Sequence, residues 1–202
     1  MDQLALEAKI RAACSAGDYQ AATVVVLECY GAELYSLLLS RFQGRPSQAE
    51  DAFSEFSEDL RRSLPRFEWR CSVRSWCYKL ARSAAARVAR VPHNRAGRRR
   101  PLSEFPGLEQ AVAHARTSTA PYLRTEIKEG FDKLRESLSQ EDRDLLTLRI
   151  DRDLPWREVA YIMASGDDGC GEELARFEAA LRQRFTELKK RLRKLATEAG
   201  LL

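Results

Sequence analysis

The 202-residue sequence predicts an all-α protein made of two small helical domains joined by an irregular basic linker. Apolar residues recur at steps of three and four along most of the chain, the period of helices with one buried face. Runs of alternating apolar and polar residues, which would indicate strands, are absent. The helical period stops at 91–121, a stretch with four prolines, two glycines and a cluster of arginines, and this break separates the two domains.

The first domain, 1–92, is predicted to contain four helices, at about 2–15, 18–43, 46–63 and 71–90. Asp18 can cap the second helix, and Pro46 suits the first turn of the third. The second helix continues through the β-branched cluster "TVVVLECY" and has an apolar stripe of Leu27, Tyr30, Leu34, Leu37, Leu38 and Phe42. The apolar faces of the third and fourth helices are Ala49, Ala52, Phe53, Phe56 and Leu60, and Val73, Trp76, Cys77, Leu80, Ala81, Ala84 and Val88.

The predicted linker covers 93–122, and within it "GLEQAVAHA" has the pattern of a short helix. The second domain, 123–202, is predicted to contain helices at about 123–137, 140–151, 155–164 and 172–198. Ser139 with Asp142 resembles a capping box, and Pro155 suits the first turn of the following helix. The expected apolar core of this domain is Leu145, Leu146, Leu148, Leu154, Val159, Ala160 and Ile162.

Charge is unevenly distributed along a chain whose formal net charge is only +4. Six arginines and no acid lie between Arg87 and Arg100, whereas the stretch from Glu50 to Asp59 is acidic. Such segregation suits a protein that meets phosphate with one part and a basic protein surface with another. Four acids lie opposite the apolar face of the third helix: Asp51, Glu55, Glu58 and Asp59. They form either a solvated face or a protein-docking surface.

The sequence offers little support for catalysis, cofactors or metal binding. The two histidines fall in the linker, and no P-loop, GxSxG or dinucleotide fingerprint occurs. The five cysteines lack zinc-site spacing, so we expect buried thiols in a reducing compartment and no metal site. The N-terminus lacks the apolar core of a secretory signal, and the apolar runs are too short to cross a bilayer, which predicts a cytoplasmic protein.

The segment "FEWRCSVRSWCYKLARSAAARVAR" combines aromatic and cationic residues. Single-stranded DNA binding uses this combination, because bases stack on aromatic rings while cations bind the phosphates. The alternative is that Phe67 and Trp76 are ordinary core residues, which we favour for Trp76. Trp69 lies outside the apolar face, and for it both interpretations stay open.

In the second domain two short helices meet at a sharp bend and are followed by a cationic helix. This is the order of a helix-turn-helix unit, whose last helix enters the major groove. In "LRQRFTELKKRLRKL", 181–195, an apolar seam is formed by Leu181, Phe185, Leu188, Leu192 and Leu195 and is continued backwards by Leu174 and Phe177. A solvated basic helix and half of a coiled coil are the alternatives for this segment.

Together these segments resemble the extracytoplasmic-function group of bacterial RNA polymerase sigma factors, over nearly the whole chain. "SAGDYQAATVVVLECYGAELYSLLLSRF" resembles that family's opening helices, and "AEDAFSEF" resembles its polymerase-docking helix. "SVRSWCYKLARSAAARVAR" is similar to its helix that binds and melts the minus-ten promoter element. "LSQEDRDLLTLRIDRDLPWREVAYIMA" resembles the start of its minus-thirty-five domain, with "ALRQRFTELKKRLRKL" in the place of the recognition helix.

The resemblance implies a sigma factor without catalysis of its own, which binds core RNA polymerase at the β′ clamp coiled coil and the β flap. The core-binding residues that it implies are Glu50, Asp51 and Glu55. At the minus-ten element, where a loop holds a flipped base and a helix follows phosphates, it implies Arg66, Trp69, Arg70, Ser72, Arg74, Lys79, Arg82 and Arg90. In the minus-thirty-five major groove it implies Arg182, Gln183, Arg184, Thr186, Lys189 and Lys190. It also implies promoter DNA and an anti-sigma factor as partners, and we expect a monomer.

The chain departs from the family pattern at several places. Ser54, Ser83 and Arg87 stand where the family usually has glutamine, asparagine and an acid. The segment 165–179 exceeds the short turn that normally precedes the recognition helix, and the apolar seam predicts a last helix that begins near Glu172. Acids at that N-terminus suit the helix dipole but repel phosphate. The DNA contacts therefore move along the helix, or this unit binds DNA in an altered way.

Two other functions fit parts of the sequence. A stand-alone regulator would bind duplex DNA as a dimer through the seam at 181–195, and an adaptor bundle would touch no nucleic acid. The acidic docking helix and the aromatic segment favour the sigma factor, because a simple repressor needs neither.

Overall fold

A computed structural model of the chain describes residues 3–43, 45–90, 108–117, 134–135, 137–164 and 171–199. Contacts divide the chain into two compact units, Met1–Arg124 and Thr125–Leu202. Within the described ranges every regular element is a helix, and no strand occurs. The all-α prediction is therefore confirmed. The basic start of the predicted linker and most of the predicted helix at 123–137 lie outside the described residues.

The described part of the first unit contains five α-helices: α1 (Gln3–Ser15), α2 (Tyr19–Arg41), α3 (Pro46–Ser63), α4 (Val73–Arg90) and α5 (Leu108–Thr117). A short 3-10 helix, Leu64–Arg66, follows α3. Asp18 caps α2 as predicted, because its carboxylate accepts the N–H of Ala21 at 2.9 Å. Pro46 occupies the first position of α3, where its missing N–H costs no helical hydrogen bond.

The central helix of this unit is α2, which packs against α1, α3, α4 and α5. Each residue of its predicted apolar stripe is at most 5% exposed. By length and composition α2 could cross a membrane, contrary to the expectation that every apolar run is too short. However, 67% of its most apolar window is buried inside the unit, which is what a core helix requires. The apolar face predicted for α3 is also buried, with every side chain 0% exposed.

The fifth helix, α5, lies in the first unit and packs closely on α2, although its sequence falls within the predicted linker. The two helices cross at Gly31. A Cβ added to Gly31 would lie only 2.7 Å from the Cβ of Ala115, so the glycine is what permits this approach. Ala111, Val112 and Ala115 are at most 3% exposed, which shows that α5 contributes to the core.

This contact predicts an unusual response to Gly31→Ala. In an ordinary helix the change stabilises by about 0.5–1 kcal/mol. Here we expect it to loosen α5 by about 1–2 kcal/mol, because the new methyl group overlaps Ala115. Faster hydrogen exchange at 108–117, measured by mass spectrometry on the full chain, would show the effect. With Ala115→Gly added the methyl group fits, since Phe53 would then be its nearest neighbour at 3.5 Å. If Gly31→Ala accelerated exchange equally in the wild-type chain and in the Ala115→Gly variant, the cause would not be steric.

The buried face of α4 differs in part from the prediction. Trp76 and Leu80 are only half-buried, whereas Tyr78, which was not predicted, is completely buried. The reason is that α4 packs against α2 as well as α3, which turns a further side of the helix inward. Trp76 is therefore not the ordinary core residue that we favoured.

The cysteines are less buried than expected. Cys77 is fully buried, but Cys14, Cys29 and Cys71 are half-buried. All four are thiols and not disulfides. Burial raises the pKa of the Cys77 thiol well above its usual value, which makes the thiolate, and hence reactivity, rare at neutral pH. Cys170 lies outside the described residues.

The second unit contains α6 (Gln140–Leu146), a π-helical segment (Thr147–Asp151), α7 (Trp156–Met163) and α8 (Glu172–Glu198). The predicted helix at 140–151 is thus α-helical only in its first half. Ser139 caps α6 as predicted, because its hydroxyl accepts the N–H of Asp142 at 3.2 Å. Pro155 is the cap of α7 and not its first residue. The predicted apolar core is confirmed, with each side chain at most 5% exposed.

The last helix, α8, begins at Glu172 as the apolar seam predicted. It follows Gly171, whose φ of 94° is a conformation that glycine adopts readily. The seam is buried at Leu174, Leu181, Phe185 and Leu188, and it is half-buried at Leu192 and Leu195. Phe177 is 36% exposed and does not extend the buried seam. With 27 residues, α8 is much longer than α6 and α7, which have 7 and 8 and cannot cover its whole length.

Candidate docking and nucleic-acid surfaces

The outer face of α3 presents the acids predicted to bind polymerase. Glu50 is exposed, and Asp51 and Glu55 are half-buried at the helix surface. Glu50 lies near Tyr35 of α2, where burial first and then the charge of Glu50 raise the pKa of the tyrosine. The guanidinium of Arg116 on α5 acts in the opposite direction at the same hydroxyl. Glu50 of the docking face and Arg116 of α5 thus act on the same tyrosine hydroxyl.

Two arginines partly neutralise the other end of the docking face. Arg62, on α3 itself, lies 3.2 Å from Asp59 and 3.6 Å from Glu58. Arg87, on the neighbouring helix α4, bonds Glu55 at 3.1 Å and also pairs with Asp59. One edge of the acidic face, Glu55 and Asp59, is consequently joined to α4 by ion pairs that the sequence alone did not predict.

A cluster of aromatic rings lies where the segment 67–72 meets α4. Phe67 stacks on Trp76 with 4.4 Å between ring centroids, and Trp69 lies against Phe67 at 5.0 Å. All three side chains are half-buried. Trp69 has a φ of 58°, a left-handed conformation that a bulky residue rarely adopts. This arrangement fits neither plain core nor fully exposed rings, because the three rings contact one another and remain partly exposed.

Helix α1 supports this ring cluster through Glu7 and Arg11. The sequence did not indicate a role for these two residues. The guanidinium of Arg11 lies over the Trp69 ring, 4.4 Å from its centroid. One turn earlier, the carboxylate of Glu7 accepts the N–H of Val73 at 3.2 Å and so satisfies a donor at the start of α4. The only signal in the sequence is that Glu7 and Arg11 are four residues apart, which does not reveal the segment they contact.

Arg74 is placed differently from the other cations predicted at the minus-ten element. Its guanidinium forms two hydrogen bonds with Glu33 of α2, at 2.8 and 2.9 Å. The Glu33 side chain is only 7% exposed. Burial disfavours the charged guanidinium, but the hydrogen bond and charge of Glu33 outweigh it and raise the pKa of Arg74. We therefore assign Arg74 to the core of the unit and omit it from the proposed phosphate contacts.

The remaining predicted residues of the 66–72 loop divide into exposed cations and a cap. Arg66 is exposed, and Arg70 is exposed and forms an ion pair with Glu68 at 2.6 Å. The hydroxyl of Ser72 accepts the N–H of Ser75 at 3.1 Å, so it caps α4. Ser72 therefore shapes the loop through the helix that follows it.

Lys79, Arg82 and Arg90 lie on the outward side of α4. Lys79 and Arg82 are half-buried, and Arg90 is exposed at the last turn. At about 100° per residue, Lys79 and Arg90 are only about 20° apart around the helix axis, whereas Arg74 is about 140° from Lys79. These three residues share a broad cationic face, and Arg74, about 80° from Arg82, is set apart from it by its two hydrogen bonds with Glu33.

In the second unit, Trp156 at the start of α7 organises the predicted reading helix. Its ring meets Phe185 edge to face at 5.3 Å. The guanidinium groups of Arg149 and Arg182 lie 5.5 and 5.7 Å from its centroid. Arg182 also forms an ion pair with Glu178 at 2.6 Å, while its side chain remains 58% exposed. Arg182 is therefore oriented by its neighbours while most of its side chain remains accessible to solvent.

Arg184 connects α8 to the start of α6. It bonds Asp142 and Glu141, both at 2.7 Å, and hydrogen bonds first to Asp142 and then to Glu141 raise the pKa of its guanidinium. With these partners Arg184 serves the packing of the unit, and base reading would require both ion pairs to break. The sequence did not reveal this, because the partners lie more than 40 residues away.

The other four residues predicted for the minus-thirty-five groove are exposed on α8. The Thr186 hydroxyl donates to the backbone oxygen of Arg182 at 3.0 Å. Lys190 pairs with Glu187 at 2.8 Å, and Lys189 lies 5.0 Å from the Phe185 ring centroid. Gln183, next to Arg182, completes a polar outer surface.

The described side chains supply binding groups of three kinds: acids, ring faces and cations. Among them, no group of three or more histidine, cysteine, aspartate or glutamate side chains could hold a metal ion. Compared with known protein families, curated proteins and solved structures, the chain matches none. Any functional interpretation therefore depends on the arrangement of these surfaces.

Proposed function

We propose that this chain is a sigma factor of the extracytoplasmic-function type. It binds core RNA polymerase in the cytoplasm, recognises a promoter and helps to open it, and it leaves the chemistry to the polymerase. The observation that carries this proposal is that one helical unit combines an acidic helix face, on α3, with a ring cluster and a cationic helix face, on α4. An adaptor bundle would need neither the ring cluster nor the cations.

Each surface has a role in the proposed function. Glu50, Asp51 and Glu55 bind the β′ clamp coiled coil, because an acidic face is complementary to a basic partner. The 66–72 loop, with Trp69, holds a flipped base of the non-template strand. The cationic face of α4, with Lys79, Arg82 and Arg90, follows the phosphates of the opened DNA. The second unit binds the β flap and places α8 in the major groove of the minus-thirty-five element.

The stand-alone dimeric regulator has less support. It requires an apolar seam on α8 that is available to a second copy of the chain. Leu181, Phe185 and Leu188 are at most 7% exposed within a single chain, so this part of the seam is already used. Dimer formation through it would require the second unit to open. We accordingly favour a monomer that an anti-sigma factor keeps inactive.

The proposal is tested by transcription with purified chain and core RNA polymerase on fragmented DNA from the source genome. New transcripts that start downstream of a shared pair of sequence elements are expected. Binding of the chain alone to duplex DNA is measured in parallel. Tight duplex binding without polymerase, together with no new transcripts, would replace the proposal with the stand-alone regulator.

Arg182→Ala tests the reading helix. If the guanidinium contacts a base edge, we expect the free energy of promoter binding to weaken by about 1–3 kcal/mol at sites with the right base and by less at other sites. Promoter use should fall accordingly. Transcription from a set of single-base promoter variants measures the difference. Glu178→Gln is the matched control, because it removes the ion-pair partner of Arg182 and leaves the guanidinium in place. An equal loss at every sequence would identify a phosphate contact instead.

A further inference from the structure

Arg87 belongs to two surfaces at once. Its guanidinium bonds Glu55 at 3.1 Å and pairs with Asp59, two residues one turn apart on the docking helix α3. These contacts cross between helices and join α4 to α3. The arginine therefore occupies carboxylates at the edge of the face that is proposed to bind the polymerase.

Arg87 also lies near two cations of the α4 face, Lys79 and Arg90. At about 100° per residue these three residues fall within about 80° of one another around the helix axis, whereas Arg82 is about 140° from Arg87. The Arg87 side chain is 46% exposed, while those of Glu55 and Asp59 are each 23% exposed. The exchange proposed below requires a change of rotamer that moves the guanidinium from these acids toward the side of Lys79 and Arg90.

We propose that Arg87 is exchanged between these two surfaces. In the free chain it is the counter-ion of Glu55 and Asp59. When the polymerase takes those carboxylates, Arg87 is released and binds a phosphate of the opened promoter strand. The inference rests on the proposed function and adds to it a residue that links docking with DNA binding.

The energies involved permit such an exchange. Ion pairs at a partly exposed surface stabilise weakly, so a polymerase that supplies its own cations can displace Arg87 at little cost. A released guanidinium beside Lys79 and Arg90 is also well suited to phosphate, because it forms bidentate hydrogen bonds. The exchange accordingly makes DNA binding stronger in the complex than in the free chain.

The experiment compares Arg87→Ala with wild type in two assays, both with the full-length chain. Binding to core RNA polymerase is expected to become about two- to fivefold tighter, because the acids lose an internal competitor. Binding of the assembled holoenzyme to a promoter recovered by the transcription assay is expected to weaken. A plot of the logarithm of this affinity against the logarithm of the salt concentration has a negative slope. That slope should become less steep by about one, as expected when one phosphate contact is lost. Arg87→Lys should keep the slope.

Arg62→Ala is the matched control, because Arg62 also pairs with Asp59 but lies on α3 itself. It should leave the salt slope unchanged. A purely structural Arg87 would weaken polymerase binding when removed, and that result overturns the inference. An unchanged slope in Arg87→Ala, or an equal loss of slope in Arg62→Ala, overturns it as well. If the wild-type chain does not bind core polymerase at all, the proposed function fails and the inference fails with it.

Discussion

Arg74→Ala is expected to lower the free energy of unfolding of the first unit by about 3 kcal/mol, because it leaves the carboxylate of Glu33 buried without its partner. The Glu33 side chain is 7% exposed, so water cannot replace the two hydrogen bonds that the guanidinium donates. Arg74 itself is 20% exposed, which places the loss at the lower end of the range for buried pairs. Urea unfolding, followed by tryptophan fluorescence, measures the change.

The tryptophan fluorescence that follows unfolding must report on the first unit alone. Trp69 and Trp76 belong to the first unit and Trp156 to the second, so the series is made in a Trp156→Phe background. Replacing both partners, with Glu33→Leu and Arg74→Met, should recover much of the lost stability because no charge is then left buried. Arg62→Ala, which removes a surface arginine, should change stability by no more than about 0.5 kcal/mol. Unchanged stability in Arg74→Ala, with weaker promoter opening, would restore Arg74 to the phosphate contacts.

The helices and their apolar faces could be predicted from the sequence because the information is local. Apolar residues recur at the helical period in the stripe of α2, in the apolar face of α3 and in the core helices of the second unit. This spacing alone is enough to predict which side of a helix is buried. The caps at Asp18 and Ser139 depend on side chains only three residues from the N–H groups they bond. The start of α8 at Glu172 followed from the same period.

Contacts between helices could not be predicted in this way. An arginine on a helix surface looks the same in the sequence whether it meets solvent, DNA or an acid from another helix. Arg74, Arg87 and Arg184 each pair with acids 28 to 43 residues away. Sequence reasoning assigned Arg74 and Arg184 to DNA, and it noted Arg87 as part of the basic cluster and as a departure from the family pattern.

The same limit applies to α5 and α1. Nothing local in the pattern of α5 indicates that it covers α2, because the close approach depends on a glycine more than 80 positions away. Arg11 is likewise an unremarkable surface cation until Trp69 is placed beneath it. Both helices are relevant to the candidate site, since Arg116 of α5 and Glu50 of the docking face act on the same tyrosine, Tyr35, and α1 supports the ring cluster.

The docking face can be tested separately from the fold. Asp51→Arg is expected to abolish binding to core RNA polymerase, because it places a cation in the middle of an acidic helix face where a basic partner must bind. A like-charge contact of this kind costs several kcal/mol, which corresponds to at least about a hundredfold weaker binding. Asp51 is only half-buried on the outer side of α3, so the helix should form normally. Circular dichroism checks the helix content, and titration with labelled polymerase measures the affinity.

The control for Asp51→Arg is Glu28→Arg, which changes the net charge equally at an exposed position on α2. It should bind polymerase like the wild type. An equal loss in both variants would indicate a general effect of charge and would leave α3 without a special role. Normal binding by Asp51→Arg would remove the docking surface on which the sigma-factor proposal depends. A loss confined to Asp51→Arg, with helix content unchanged, would locate polymerase binding on the outer face of α3.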